Sequence, residues 1–287
     1  MHREGNPLKG VALVVLAVLL FAMADAVGKH LSVLYPITLV LAVRYLVNLG
    51  LISAVMLPRH GVTLWRTRRT GLVILRGLTL ALGSICMLMA LQVMPLAETV
   101  AIINVTPLLL MVAGAFVLRE SISGWGWVAA AIGFAGVLLI VRPGSGLDAL
   151  GVALSLFNVL CATGYHLLTR ILTRTETTMA LIFHTALVGA VVFLTLMLAL
   201  GTETLPTTTD FAAMLALGAL ATAGHLVFTL AYREAPASTL APANYMHIAF
   251  ATLLGWLVFQ QLPDALGFTG MALIAVAGLM AAWLARR

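Results

Sequence analysis

Long apolar runs alternate with short polar breaks along the whole chain. A membrane-spanning helix needs about 20 apolar residues, and ten runs approach or reach that length. They are residues 9–29, 36–57, 72–93, 97–118, 125–141, 150–170, 178–200, 210–231, 238–259 and 265–285. The runs are continuously apolar and do not alternate, which argues against membrane strands. The pattern predicts an all-α integral membrane protein with ten transmembrane helices.

The second half of the chain repeats the first at a constant offset of 141 residues. The matched pairs are Gly77 and Gly218, Gly83 and Gly224, Ala90 and Ala231, Pro95 and Pro236, and Gly114 and Gly255. One unbroken register indicates two copies of one unit, residues 9–141 and 150–285. Because each unit contains an odd number of spans, five, the second copy enters the membrane in the opposite orientation. The sequence thus predicts two inverted five-helix repeats.

The composition fits a membrane protein and changes how its positive charge is interpreted. Hydrophobic residues form 62% of the chain and charged residues only 9%, whereas a soluble domain carries about 25% charged residues. The net charge of +6 would suggest a nucleic-acid partner in a soluble protein. Here the arginines lie between apolar runs, where topology and anionic lipid explain them. The expected surroundings are a lipid bilayer, and no nucleic-acid partner is expected.

Lysine and arginine positions predict the orientation. With a cytoplasmic N-terminus, most of these residues fall on cytoplasmic sides or ends of spans. They are Arg3, Lys9, Arg59, Arg66, Arg68, Arg69, Arg76, Arg119, Arg170, Arg174, Arg233, Arg286 and Arg287. Lys29 and Arg142 fall on the other side, and Arg44 lies within the second span. Since positive residues accumulate on the cytoplasmic side, we expect a multi-pass inner-membrane protein with both termini in the cytoplasm.

Inverted repeats around a site near the middle of the membrane are typical of secondary transporters. The chain resembles, over its whole length, the ten-helix EamA-type exporters of the drug/metabolite transporter superfamily. The resemblance is carried by the paired layout, by Pro95 and Pro236 opening the fourth and ninth spans, by Arg119-Glu120 closing the fourth, and by Gly126, Gly133 and Gly136 in the fifth. The second copy departs, with Gln260-Gln261 in place of Arg119-Glu120. Family members export amino acids, other metabolites or drugs, and some import metabolites, so the resemblance implies a solute carrier.

Polar side chains inside a bilayer are costly, at about 2.5–3.5 kcal/mol for a charged one, so they mark a cavity or a contact between helices. The fourth and ninth spans share a polar stretch close to a proline, with Asn104 in one and Asn244, Tyr245 and His247 in the other. A proline frees a backbone carbonyl that can meet a ligand. The alternative is that these side chains join neighbouring helices. We favour a shared cavity.

Other spans contribute further candidates for substrate binding. These residues are Arg44, Asn158, Tyr165 and His225. Arg44 lies roughly 12 Å into the second span, where it either neutralises Asp25 or offers its planar guanidinium to a substrate carboxylate. We expect a cavity between the halves, lined by spans 1, 3, 4, 6, 8 and 9, that receives a small molecule.

Asp25, His225 and His247 are the candidates for coupling transport to protons. Histidine titrates near neutral pH. Asp25 lies four residues before Lys29, so the favoured interpretation is a structural ion pair on the helix surface. In the alternative, Asp25 carries a proton, although a paired carboxylate is a poor proton carrier.

The sequence lacks the motifs that several classes of chemistry need. The histidines come singly, without metal-ligand spacing, so neither a metal site nor a cofactor is expected. The chain has no G-x4-G-K-[ST] loop for ATP-driven pumping. An intramembrane enzyme using Asp25, His225 and His247 would need a fixed acid–base–nucleophile cluster, and the sequence shows no such spacing. We therefore expect a carrier and no enzymatic activity.

The expected function is export of small metabolites, amino acids above all, across the inner membrane by alternating access. Few charges and many small residues within the spans argue against a strongly charged substrate. A multidrug or cationic-compound exporter is the nearest alternative. The small faces of the fifth and tenth spans allow close contact within the bundle or between protomers. A monomer is sufficient because one chain holds both halves.

Overall fold

The computed structural model describes residues 6–118, 123–142, 144–201, 204–235 and 237–284. Twelve helices account for most of these ranges. They are α1 (Pro7–Leu34), α2 (Ile37–His60), α3 (Thr70–Val93), α4 (Leu96–Ile103), α5 (Thr106–Leu118), α6 (Gly124–Val141), α7 (Ala149–Leu172), α8 (Thr178–Leu200), α9 (Thr208–Glu234), α10 (Ala237–Asn244), α11 (Met246–Phe259) and α12 (Ala265–Leu284). A short 3-10 turn, Gly61–Leu64, follows α2. Pro236, Arg119-Glu120, Arg3 and Arg286-Arg287 lie outside the described residues.

The predicted ten-helix membrane fold is confirmed, with a correction in two spans. Within the described ranges, nine helical segments are long and apolar enough to cross a membrane, and one of them joins α4 and α5 over Leu96–Val117. The tenth crossing consists of α10 and α11, which together fall at the predicted span 238–259. The two spans predicted as continuous, 97–118 and 238–259, are therefore each divided into two helices. The divisions lie at Asn104 and Tyr245, which are equivalent positions in the repeat.

The first division follows from the chemistry of Pro107. Proline has no N–H, so the carbonyl of Ile103, four residues earlier, loses its normal helical donor. The hydroxyl of Thr106 donates to that carbonyl at 2.7 Å, and the amide of Asn104 donates to the carbonyl of Val100 at 2.8 Å. The carbonyl that the sequence left free for a ligand is thus satisfied locally.

Helix packing repeats the symmetry of the sequence. Gly77 on α3 lies against Val188 on α8, where an added Cβ would come within 2.7 Å of the valine Cβ. The repeat equivalents Gly218 and Val47 make the same contact between α9 and α2, at 2.6 Å. Small residues allow helices to approach closely, so both halves use the same device. The inverted repeat is therefore visible in individual contacts.

Two ion pairs join the halves at opposite faces of the bundle. We name the N-terminal face the side at which α1 begins. There, Lys9 at the start of α1 pairs with Glu234 at the end of α9, with 2.6 Å between Nζ and Oε1. At the opposite face, Arg142 after α6 pairs with Asp264 before α12. The Gly267 N–H, and then Arg142, hold the pKa of Asp264 below its usual range. These two contacts are named the cross-half ion pairs below.

The small faces of α6 and α12 meet each other within the chain. A Cβ on Gly136 would lie 2.7 Å from the carbonyl oxygen of Gly270, so a larger side chain forces the helices apart. We expect Gly136→Val to lower the free energy of unfolding by about 1–3 kcal/mol, the usual cost of overpacking. Denaturant unfolding in detergent measures this. Gly124→Val on the same helix is the control, because a Cβ there meets nothing within 4 Å; equal effects would contradict the packing explanation.

Candidate functional site

An aromatic and ionisable cluster lies where α1, α9 and α11 meet. The Phe21 ring is 4.8 Å from the His225 ring, edge to face, and 6.4 Å from the His247 ring. Gly224 allows this approach, since a Cβ there would lie 2.6 Å from Cε1 of Phe21. Phe21 thus brings together two histidines that are distant in sequence. It is not among the residues that the sequence singled out, because an aromatic residue in an apolar helix carries no distinct signal.

Asp25 and His247 form a hydrogen bond across the two halves of the chain. His247 Nε2 lies 3.1 Å from Asp25 Oδ2, and the side chains are only 18% and 22% exposed. Asp25 follows Phe21 by one turn of α1, and His247 lies in the first turn of α11, directly after the break at Tyr245. Because α11 begins directly after the break, the position of the break determines where the His247 side chain lies and allows it to meet the Asp25 carboxylate.

The expected ion pair between Asp25 and Lys29 is wrong. The buried Lys29 ammonium donates to the carbonyls of Leu91, at 2.6 Å, and Met94, at 2.5 Å, at the end of α3. The last carbonyls of a helix lack intrahelical donors and carry the negative end of its dipole, so they attract the ammonium. Asp25 is consequently left to pair with His247.

Three basic groups share the region next to this pair. His225 interacts electrostatically with Arg44 on α2 and His166 on α7. Both histidines are exposed, and Arg44 is half-buried with its guanidinium 5.7 Å from the Tyr45 ring centroid. Of the two alternatives for Arg44, a contact with Asp25 is not found among the described residues. His166 was not predicted as a site residue, although it directly follows the candidate Tyr165.

Asn158 and Tyr165 join α7 to α3. The Asn158 amide donates to the carbonyl of Gly83 at 2.7 Å and is buried. The Tyr165 hydroxyl accepts from Nη2 of Arg76 at 2.6 Å, and the guanidinium lies 4.2 Å from the centre of the ring. Both candidate side chains are therefore engaged in contacts between helices.

Arg76 corrects the predicted distribution of arginines. The sequence places it with the arginines on the cytoplasmic side, but it is 3% exposed and lies inside the bundle. Besides Tyr165, it donates to Thr169 Oγ1 at 2.7 Å, to the Leu181 carbonyl at 2.9 Å and to Thr185 Oγ1. These partners lie in α7 and α8, so the guanidinium of Arg76 connects its own helix, α3, to two others.

The remaining candidates lie at the two helix breaks. Asn104 bonds to its own helix, as described above. Tyr245 packs its ring against Gly278 on α12, which directs its hydroxyl toward that helix. Asn244 has a buried Oδ1 with no hydrogen-bond partner among the residues the structure covers. Of the three, Asn244 alone presents an unused buried acceptor, which suits a ligand donor.

The arrangement combines one carboxylate with several basic groups in a small region. The Asp25 carboxylate can accept a hydrogen bond from a cationic group, whereas the guanidinium of Arg44 suits a carboxylate. In the described part of the chain, no group of three or more His, Cys, Asp or Glu residues is placed to hold a metal ion.

Comparison with known proteins gives consistent matches. The EamA-like transporter family matches residues 8–142 and 149–283. The pseudopaline exporter CntI of Pseudomonas aeruginosa (strain UCBPP-PA14) is 28% identical over 270 residues, covering 93% of this chain and 94% of that protein. A riboflavin transporter of Rhizobium johnstonii is 29% identical over 236 residues, covering 80% and 76%. A solved crystal structure superposes with a TM-score of 0.70 at 19% identity, covering 97% of this chain and 98% of the other.

These matches confirm the resemblance inferred from the repeated sequence. The structural superposition supports the ten-helix fold, and the relatives are transporters that are matched over most of their length. The protein is accordingly a multi-pass membrane transporter of small molecules and not an enzyme. Since the family matches both copies of the repeat, this chain belongs to the EamA-like transporter family.

Proposed function

We propose that this transporter is a proton-coupled secondary carrier that exports small amphoteric metabolites, amino acids first among them, by alternating access. The observation that carries the proposal is the hydrogen bond between Asp25 and His247. Asp25 belongs to the first half and His247 to the second, so a motion of one half against the other changes this contact. A contact of this kind can link movement to the gain or loss of a proton.

The charges around the pair favour a substrate with both signs of charge. A substrate ammonium group competes with His247 for Asp25, and its carboxylate is attracted by the guanidinium of Arg44. A substrate ammonium group and a proton then compete for the same carboxylate, that of Asp25. Binding of the substrate and of a proton would then oppose each other, as exchange of a solute for protons requires.

The same charges argue against the alternative of a cationic-drug exporter. The permanently charged guanidinium of Arg44 lies near the region that such a cation would enter, and like charges repel strongly where water is scarce. The relatives named above are a pseudopaline exporter and a riboflavin transporter, two different solutes. The family therefore leaves the solute open, and the preference for amino acids comes from the charges.

The proposal is tested by transport into proteoliposomes that contain the purified protein. The panel holds radiolabelled zwitterionic amino acids, riboflavin and a lipophilic cation, each with and without a pH gradient. We expect amino acids to accumulate against their concentration gradient only when the pH gradient is present. Transport of the lipophilic cation alone would favour the alternative, and a response indifferent to pH would contradict proton coupling.

The proposed direction of transport requires a defined orientation in the membrane. We expect reporter fusions after Arg69 and Arg174 to report the cytoplasm, and fusions after Pro95 and Gly146 to report the opposite side, because the N-terminal face carries most of the arginines. An alkaline phosphatase and green fluorescent protein pair measures both outcomes. Inversion of the signal at Gly146 and at Arg174 together would contradict the inverted arrangement of the second half.

A further inference from the structure

A polar cavity lies at the N-terminal face, away from the cluster around Phe21. It has a volume of about 140 Å³ and is lined by Arg69, Arg170, Ile171, Arg174 and Thr175. Arg69 directly precedes α3, and Arg174 follows the end of α7 by two residues. The cavity, named the arginine pocket here, is therefore formed by the α2–α3 connection of the first half and the α7–α8 connection of the second.

Glu176 builds the pocket without neutralising it. Its buried carboxylate accepts the backbone N–H groups of Arg68, at 3.0 Å, and Arg69, at 2.8 Å. It also interacts with the hydroxyl of Thr175 at 3.3 Å. These bonds fix the two connections against each other. The guanidinium groups of Arg69 and Arg174 have no bonding partner among the described residues, and both side chains are exposed.

The pocket lies beside the start of α3 and the end of α7, the level at which lipid headgroups are expected. Arg69 and Arg174 flank the apolar ends of two spans. Trp65, in the same connection as Arg69, is 54% exposed, with its ring edge-on to Phe183 at 4.8 Å. Tryptophan concentrates where the acyl chains meet the headgroups. An anion at this level meets two cationic side chains held in a preformed cavity.

From this geometry we infer that the arginine pocket binds a phosphate group, with Arg69 and Arg174 as its principal ligands. Guanidinium presents paired donors that match two phosphate oxygens and forms charge-assisted hydrogen bonds with them. The repulsion between neighbouring arginines is relieved when an anion lies between them. The phosphate belongs either to an anionic phospholipid of the surrounding leaflet or to a soluble phosphate, and both present the same chemistry. Because the pocket joins the two halves, its occupation would hold their connections together on this face.

The test compares two double variants of the full-length protein that remove equal charge from the same face. In the first, Arg69→Gln with Arg174→Gln, both guanidinium groups that would bind the phosphate are removed. Arg66→Gln with Arg68→Gln removes two exposed arginines that do not line the pocket. Both are reconstituted in nanodiscs of phosphatidylcholine with a small fraction of phosphatidylglycerol, and retained phosphatidylglycerol is counted by native mass spectrometry. Inorganic phosphate binding is measured in parallel in phosphatidylcholine nanodiscs.

We expect the pocket variant to bind phosphate-bearing probes roughly 100-fold more weakly, about tenfold for each charge-assisted arginine contact that is lost. The Arg66→Gln, Arg68→Gln variant should bind these probes about as tightly as the parent protein does. Selective loss of phosphatidylglycerol identifies the lipid as the source, and selective loss of inorganic phosphate binding identifies the soluble anion. Equal losses of binding in both variants would mean that only the general surface charge matters, which would overturn the inference. Absence of binding to the parent protein would overturn it as well. Unchanged melting temperatures establish that both variants are folded.

Discussion

Replacement of Asp25 by asparagine is expected to abolish accumulation of solute driven by a pH gradient, while the protein remains folded in the membrane. Asparagine keeps the size of the side chain and can still accept a hydrogen bond from His247, but it cannot take up a proton. The groups that face Asp25 and His247 are the Phe21 ring and, beyond it, His225. None of these groups supplies a second carboxylate; the buried carboxylate of Glu98 instead interacts with Lys29, one turn further along α1.

The measurement is uptake into proteoliposomes with and without an imposed pH gradient, together with exchange of labelled for unlabelled solute. We expect exchange to persist in Asp25→Asn with affinity weakened up to about tenfold, the effect of one hydrogen bond. Asp148→Asn is the control because Asp148 caps α7 by accepting from the Gly151 N–H, a task that asparagine also performs. Normal gradient-driven accumulation by Asp25→Asn would remove the carboxylate from the coupling mechanism.

Arg76→Ala is expected to produce the largest loss of stability among single substitutions of the arginines. The change removes four hydrogen bonds, to Tyr165, Thr169, Leu181 and Thr185, and leaves a void between three helices. Bonds to charged groups contribute about 1.5–3 kcal/mol each, partly offset because a buried charge no longer has to be desolvated. We expect a net loss of roughly 3 kcal/mol.

Unfolding in detergent, followed by the fluorescence of the tryptophans, measures this loss. Arg68→Ala provides the comparison, since its side chain is exposed and its backbone bond to Glu176 is retained; changes at such sites usually stay within about 0.5 kcal/mol. Similar midpoints for the two variants would mean that the bonds of Arg76 do not contribute to stability. Loss of transport without loss of stability would instead place Arg76 in the transport mechanism.

The course of the chain through the membrane could be predicted because it depends on local composition. A run of about 20 apolar residues has few alternatives to a spanning helix, and the 141-residue repeat showed that the halves are related. The breaks at Asn104 and Tyr245 were harder to predict. The first depends on how Thr106 and Asn104 satisfy carbonyls near Pro107, and a proline can equally produce a mere kink.

The contacts of the candidate site depend on the rotation and depth of each helix, which composition does not determine. Asp25 and Lys29 satisfy the local spacing rule for an ion pair, yet the end of α3 offers Lys29 stronger acceptors. His247 lies 222 residues from Asp25, and nothing in either span indicates the pairing. Arg76 is close enough to the end of its span to resemble a topology signal, and only the neighbouring Thr169, Tyr165 and Thr185 explain its burial.

The cross-half ion pairs have a consequence for turnover. Lys9–Glu234 and Arg142–Asp264 connect the same two halves at opposite faces, and each has one well-exposed partner. In a carrier that works by alternating access, opening of one face breaks the ion pair at that face, while the ion pair at the other face stays intact. Exposed ion pairs contribute at most about 1 kcal/mol to stability, so both pairs are easily broken. High ionic strength, which screens such pairs, should therefore speed the cycle.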